Sequence, residues 1–302
     1  WLGCSIERWL EIKSWDEMLA WADENDSQRK SDCALFIRFA LAAGLHKYGG
    51  GVGSYLATGT FFKPDLYDHP TVDGRNDALI TRSGIYDGKG YHDFDHLNVR
   101  EDTAHSFYRG DKSLHPWQGE TDPIDPLEGK KQDKYSWAKS PRYDVPGQGA
   151  KPLEVGPLAR QVIAGKPNAA AHQDFDPLFR DIVQQHGPSI FTGVMARMHE
   201  APKYFKYTRQ WLDQIDLHDR FYNKPVEHEQ GRGFGATEAA RGALADWLVL
   251  SNGRIENYQV ITPTAWNIGP RDRTGTLGPM EQAFIGAQIT DPSDPVEMGH
   301  VA

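Results

Sequence analysis

The sequence predicts an α+β fold dominated by packed helices, with small antiparallel hairpins and one long irregular arm. Three observations carry this. Between residues 176 and 216, Ile190, Val194, Met198, Tyr204, Tyr207, Trp211, Leu212 and Ile215 recur at three- and four-residue spacing, the period of a buried helix face. Two strand-like segments adjoin the turns Asp87-Gly88-Lys89-Gly90 and Ser251-Asn252-Gly253-Arg254, whose glycines and Asn252 suit the left-handed dihedrals of tight hairpins. Residues 111–149 are rich in Pro, Gly and Lys and show no period.

Along the chain, residues 31–43 read as a first helix, with Asp32 in its opening turn and Leu35, Ile37, Phe39 and Leu41 among small residues. The run Gly49-Gly50-Gly51-Val52-Gly53 ends it; lacking both the GxGxxG spacing and a Lys-Ser/Thr ending, it reads as a flexible turn, not a phosphate cradle. Residues 78–86 and 91–96 form a hairpin around Asp87–Gly90. In its second arm, His92, Asp93, Asp95 and His96 have metal-ligand chemistry, but alternation along a strand splits them between two faces, so a solvated edge is expected. The irregular arm, residues 111–149, is expected to wrap the surface and contact a partner subunit. Helix returns at residues 158–164, and residues 176–216 are expected as two packed helical pieces meeting at a kink at Pro202, their aromatic stripe in the core. Within them His199 and Glu200 read either as a proton-relay pair or as a buried histidine satisfied by a neighbour; the second is the expected one. Residues 231–235 read as a glycine-rich loop, residues 245–261 as a hairpin, and residues 281–288 as a closing helix.

Composition narrows the function classes. In 302 residues, 39% hydrophobic and 25% charged, the chain has enough apolar material for a large core. The 33 Lys+Arg against 42 Asp+Glu give a net charge of −9, with no basic run, which argues against nucleic acid as a partner. No stretch approaches the ~18 apolar residues of a membrane span. Trp1 opens inside what reads as a turn and helix, and Ala302 follows no stop signal, so the sequence is expected to be an internal fragment. The two cysteines, Cys4 and Cys33, form neither a CxxC pair nor a disulfide framework and are expected to be inert packing residues.

The most informative strings lie late in the chain. Glu238-Ala239-Ala240-Arg241-Gly242-Ala243-Leu244 is followed by Thr262-Pro263-Thr264-Ala265-Trp266-Asn267. Ahead of them come Tyr135-Ser136-Trp137-Ala138-Lys139-Ser140-Pro141-Arg142-Tyr143 and Glu154-Val155-Gly156-Pro157-Leu158-Ala159-Arg160, then, further upstream, Ser54-Tyr55-Leu56-Ala57-Thr58-Gly59, His105-Ser106-Phe107-Tyr108 and His115-Pro116-Trp117. In this order and at these separations, the blocks resemble the carboxy-terminal half of a nickel-iron hydrogenase large subunit, from about Lys47 to Ala302.

The resemblance implies reversible oxidation of H2 to protons and electrons at a Ni-Fe(CN)2CO centre, with electrons leaving through iron-sulfur clusters of a separate small subunit. It implies that residues 1–302 are part of one large-subunit domain, truncated at both ends and lacking the two Cys-x-x-Cys pairs that supply the metal thiolates, so the chain alone is expected to be inactive. By position, Arg241 is implied as the donor to one cyanide and a candidate base, Leu244 as packing against carbon monoxide, and Thr264 as hydroxyl donor to the second cyanide, with Pro263 stiffening its approach. The carbonyl of Val260 is implied as a ligand of a magnesium-type cation. Ala240 departs from the family's proline, leaving the approach to Arg241 less constrained. The implied location is cytoplasmic, or at the inner membrane through partner subunits. Two other readings stay open: a hydrogen-sensing regulatory subunit, and the related quinone-site subunit of complex I, against which Ala243 argues because an acidic residue is expected there.

Overall fold

Short polar side chains divide the first 42 residues into helices. Ser5, Ser14, Asn25 and Ser31 each accept backbone N–H groups at the starts of α1 (Ile6–Leu10), α2 (Trp15–Asp23), α3 (Asp26–Arg29) and α4 (Asp32–Ala42). The structure is a computed structural model and describes residues 1–62, 79–167, 169–218, 220, 222, 227–287, 289, 291, 293–294 and 296–301. After α4 come β1 (Tyr55–Phe62), β2 (Leu79–Tyr86), β3 (Tyr91–His92), β4 (Val99–Asp102), β5 (Ser113–Leu114), α5 (Pro126–Lys130), β6 (Ser140–Val145) and β7 (Gly149–Lys151). Then follow α6 (Pro157–Ala164), α7 (Leu178–His186), α8 (Ile190–Gln214), β8 (Gly231–Ala239), β9 (Gly242–Ser251), β10 (Arg254–Ile261), α9 (Pro263–Ile268), α10 (Pro279–Phe284) and α11 (Val296–Val301).

The strands form three antiparallel sheets, in the orders β1-β2-β3, β5-β4-β6-β7 and β10-β9-β8. One apolar core joins α1, α2 and α4 to α7 and α8 through Trp9, Trp21, Ile37, Phe179 and Phe191; a second lies among the sheets and includes Tyr143, Trp247, Ile261 and Trp266. The α+β class holds, but helices do not dominate: β1, β6 and the β8–β9 pair carry parts of the family-like strings, and α6 and α9 carry others.

Several expectations need correction. Residues 231–235 are not a loop; they begin β8, which pairs with β9 from Gly231↔Leu250 to Ala239↔Gly242, so the glycines serve a strand whose side chains are few and half exposed. The helix at 31–43 is present, but its buried face is Cys33, Ala34, Ile37 and Ala40, whereas Leu35 and Phe39 are exposed, because helical period and not hydrophobicity decides which side chains meet the core. Residues 190–214 form one uninterrupted helix through Pro202, the break falling instead at Gly187, whose φ is +69°. Of its stripe Tyr207 is buried, while Leu212 and Ile215 face outward.

The expected arm is also more ordered than its composition suggests. It contains α5 and β6, and β6 is an inner strand between β4 and β7. Cation-to-carbonyl links replace hydrophobic period: the Lys134 ammonium donates to the carbonyls of Thr103, Ala104 and Gly110 at 2.8, 3.2 and 2.6 Å. Arg142, 1% exposed, pairs with Asp272 at 2.8 Å and donates to the carbonyls of Pro270 and Thr276. The two expected hairpins are present as β2–β3 and β9–β10, and α10 stands for the closing helix; Ala78 and Gln288, their outermost expected residues, lie outside the described residues. The edge at 92–96 is only partly solvated: His92 pairs with the buried Asp87 at 2.9 Å, and His96 is buried and stacks on Phe234 at 4.1 Å.

Candidate functional site

The string around Arg241 folds as the two-residue turn between β8 and β9. Ala239 pairs with Gly242, so Ala240 and Arg241 alone make the reversal. Arg241 is exposed and its guanidinium has no hydrogen-bond or ion-pair partner among the described residues.

Beneath the turn lies a buried charge cluster. Arg160 of α6, 5% exposed, grips Glu200 of α8 with two bonds of 2.7 Å and Glu238 of β8 with one of 2.9 Å. The same guanidinium donates to the carbonyls of Ala239 at 2.9 Å and Ala240 at 3.4 Å, and Arg197 of α8 donates to that of Ala240 at 3.1 Å. Glu238 also accepts the backbone N–H and the hydroxyl of Thr58 at 2.7 and 2.9 Å, and Gln161 donates to Glu200 at 3.0 Å. Burial pushes the Glu238 carboxyl above its usual range despite the charge of Arg160. Burial pulls the Arg160 guanidinium down, but Glu200 and then Glu238 outweigh it and keep it charged. Beside this cluster a cleft of about 330 Å³ opens between Thr60, Phe61, Tyr204 and Arg197.

A second contact ties the turn to the other family-like blocks. Gly242 has φ +129°, and a Cβ there would lie 2.6 Å from the Gly156 nitrogen; Gly156 has φ +131°, and its Cβ would lie 3.2 Å from the Arg241 carbonyl oxygen. Val155, between them, exchanges hydrogen bonds of 3.0 Å with the Asn267 side chain, which anchors α9. Gly242→Ala is therefore expected to lose roughly 1–3 kcal/mol of stability from overpacking, read from the urea midpoint; an unchanged midpoint would contradict the close contact.

Each residue singled out from the sequence has a definite place. Leu244 is half-buried on β9 opposite Thr237, on the face turned away from the core residues Ala243 and Ala245. Val260 lies on edge strand β10 opposite Asp246, half exposed. Pro263 is buried in the first turn of α9 behind the Thr262 cap, and Thr264 is exposed. The structure thus joins the Arg241 turn, through Gly242, Val155 and Asn267, to the helix bearing Thr264, and places Leu244 and Val260 on the same outward face of one sheet.

His199 and Glu200 serve different partners. His199 accepts from the Trp9 indole at 3.0 Å and meets Asp176 at 2.8 Å, while Glu200 belongs to Arg160. The histidine is the buried, satisfied kind. Burial pushes Asp176 up, yet His199, Lys203 and Lys13 together hold its carboxyl below the usual range. Both cysteines read as packing residues. Cys33 is buried and burial pushes its thiol up to about 12, whereas Cys4 is half-buried and accepts from the Trp21 indole at 3.2 Å. Native protein at pH 8 should leave Cys33 unlabelled by iodoacetamide and modify it only after denaturation, a difference peptide mapping resolves.

Glu154 is a residue whose chemistry the sequence did not announce. Its carboxylate accepts the N–H groups of Val52 and Gly53 at 2.6 and 3.0 Å, closing the glycine run around it, and burial nonetheless raises it to about 7. A carboxyl raised above its unfolded value gives stability that is full below about 4.5 and is lost as pH rises through about 7. Glu154→Gln keeps the acceptor oxygen without the charge, so its melting temperature should exceed that of the parent by more at pH 8 than at pH 5, corresponding to roughly 2–3 kcal/mol. A constant gap across that range would remove the titration from the account.

The geometry bears on what the site can hold. Among the described residues no three His, Cys, Asp or Glu side chains converge as a metal site, and neither cysteine lies at the turn. Among the described residues the chain offers a guanidinium without a side-chain partner, a half-buried leucine and an exposed hydroxyl, and no pair of thiolates that could ligate a metal. Sequence reasoning missed Arg160, Glu200 and Glu238 as a unit. The signal was available: an arginine in the otherwise apolar helix start Val155-Gly156-Pro157-Leu158-Ala159-Arg160 is a buried charge in need of partners.

A mixed α/β chain with this turn, this clamp and these strings defines a class. The sequence profile of the nickel-dependent hydrogenases matches residues 30–301, and the chain belongs to that family. It is 32% identical over 272 residues to the periplasmic [NiFeSe] hydrogenase large subunit of Desulfomicrobium baculatum, covering 85% of this chain and 48% of that protein. To the uptake hydrogenase large subunit of Rhizobium leguminosarum bv. viciae it is 31% identical, covering 83% and 46%. The solved structure of a reduced, active form of the Ni-Fe-Se hydrogenase from Desulfomicrobium baculatum superposes with a TM-score of 0.73 at 29% identity, over 96% of this chain and 59% of that one. The chain spans about half the length of the curated relatives it matches.

Proposed function

We propose that the chain is the carboxy-terminal part of the catalytic large subunit of a nickel-iron hydrogenase, oxidising H2 reversibly and passing electrons to an iron-sulfur small subunit. The single observation that carries this is the exposed Arg241, without a side-chain partner among the described residues, presented on a turn locked by buried charges and by glycine-to-glycine contact, within a chain that belongs to the nickel-dependent hydrogenases. When bound, a Ni-Fe(CN)2CO centre supplies the polarisation of H2 and the electron acceptor. This chain supplies the surroundings. As a charged guanidinium Arg241 would donate hydrogen bonds to a cyanide; as the candidate base it would first have to give a proton to solvent, and only in that neutral form could it take one from H2. Leu244 gives an apolar wall that keeps water from carbon monoxide, and Thr264 donates its hydroxyl to the second cyanide, its backbone held by Pro263. The carbonyl of Val260, on an edge strand, is offered to a magnesium-type cation.

Residues 1–302 are read as part of one large-subunit domain, completed by the thiolate-bearing segments. No helix among the described residues is long and apolar enough to cross a membrane; the location read for the protein is cytoplasmic, or at the inner membrane through partner subunits. The test uses the full-length subunit assembled with its small subunit. Hydrogen-dependent reduction of a viologen dye, with nickel and iron near one each per large subunit, is expected. An assembly with full metal content and no hydrogen-dependent reduction would refute the reading.

A further inference from the structure

The turn that carries Arg241 lacks the chemistry of a self-sufficient hairpin turn. Two-residue loops between antiparallel strands favour left-handed dihedrals at one or both positions, hence Asn, Asp and Gly. Here the positions are Ala240 and Arg241, and neither is among the residues with positive φ; Asn252, in the neighbouring β9–β10 turn, has φ +54° and does follow the rule. Something outside the turn must set its shape. Two guanidiniums reach it, both from helices and both through main-chain carbonyls: Arg160 to Ala239 and Ala240, and Arg197 to Ala240.

We propose that Arg160 and Arg197 are positioning residues that clamp the Ala239–Ala240 carbonyls from two helices and thereby fix the direction in which Arg241 leaves the turn. The aim of Arg241 is then set by α6 and α8 and not by the local sequence. Arg160 has a second duty in the buried charge cluster, so its loss confounds aim with folding. Arg197 is exposed and makes no ion pair among the described residues, so it reports on the clamp alone. The clamp should also be replaceable. Ala240 lies outside the left-handed region, its N–H donates no backbone hydrogen bond among the described residues, and Ala239 before it is extended, so a proline at 240 breaks no main-chain hydrogen bond there and restricts the same backbone from within.

The proposal rests on the reading of Arg241 above, and its test separates the two. In the full-length subunit with its small subunit, Arg197→Ala, Arg197→Lys, Arg197→Ala with Ala240→Pro, and Arg241→Lys are compared by amide hydrogen exchange of the 239–242 segment, by turnover, and by the cyanide infrared bands. Expected for Arg197→Ala are exchange at Gly242, which pairs with Ala239 across the turn, about fivefold faster, on the order of one lost hydrogen bond, a broadened cyanide band, and a lower kcat at unchanged KM and metal content. Arg197→Lys should recover part of the exchange protection, and the added proline should restore protection, band width and kcat together. Unaltered exchange and bands in Arg197→Ala, with Arg241→Lys impaired, overturns the clamp and leaves the role of Arg241 standing. Faster exchange that proline does not reverse also overturns it. If Arg241→Lys turns over normally, the reading of Arg241 falls, and the exchange data alone still decide whether the two guanidiniums hold the turn.

Discussion

Replacing Arg160 by leucine is expected to remove about 3–5 kcal/mol of folding stability, the cost of breaking a buried ion pair from one side. The guanidinium reaches Glu200, Glu238 and two main-chain carbonyls from a position only 5% exposed. Leucine fills part of the volume and leaves both carboxylates without their cation. The loss should ease in acid: burial raises the Glu238 carboxyl, and a carboxyl raised in the folded state gives stability present below its unfolded value near 4.3 and lost as pH rises through the folded value. Adding Glu200→Gln and Glu238→Gln to the leucine variant should recover a substantial part at pH 8, because neutral amides can be buried at lower cost. Urea melts of the three proteins at pH 5 and pH 8 decide it. A leucine variant as stable as the parent at pH 8 would mean that the cluster contributes nothing net.

Arg241→Lys in the intact enzyme should lower hydrogen turnover by ~10–100-fold or more while leaving nickel and iron nearly normal. Lysine keeps the charge but loses the planar fork of donors, so a site that depends on two directed hydrogen bonds is impaired where one that needs only a cation is not. Arg241 has no structural partner to lose among the described residues, so folding should be little affected. Thr264→Val makes the comparison: it removes one neutral donor and should mainly shift a cyanide stretching band. Metal content, hydrogen uptake and infrared bands are measured on the same samples. Unchanged turnover in the lysine variant would take Arg241 out of the chemistry, and loss of iron would make its role structural.

Elements with a strong local cause were legible in the sequence. The Asn252-Gly253 turn and Asp32 in the first turn of its helix announce the hairpin and the helix because such residues bend the backbone or favour a helix start themselves. The family-like strings located the segments of the candidate site for the same reason, their residue identities being unusual. What remained hidden depends on partners distant in the chain. β6 carries a proline and an arginine and shows no alternation, since Arg142 is satisfied by Asp272 and by carbonyls 128 and 134 residues away. β8 is half glycine near its start and gains its strand character from β9. The joining of Arg160, Glu200 and Glu238 brings together three segments whose sequence separations are 40 and 78 residues, and no local pattern encodes that. Pro202 misled because a helix can pass through proline when tertiary packing outweighs one missing hydrogen bond.

The meeting of Gly156 and Gly242 implies a particular pattern of mutational tolerance. At most places in a protein a lost contact can be restored by a compensating side chain elsewhere. Here backbone meets backbone, and both residues hold dihedrals that other amino acids rarely adopt, so a larger residue at either position has no second-site remedy at the other. A saturation library should therefore recover glycine alone at both positions while accepting many residues at Ala240 between them and the clamp. The register between the helix that bears Arg160 and the turn that bears Arg241 is thus inherited through what is missing from two side chains, and drift in the surrounding sequence leaves it untouched.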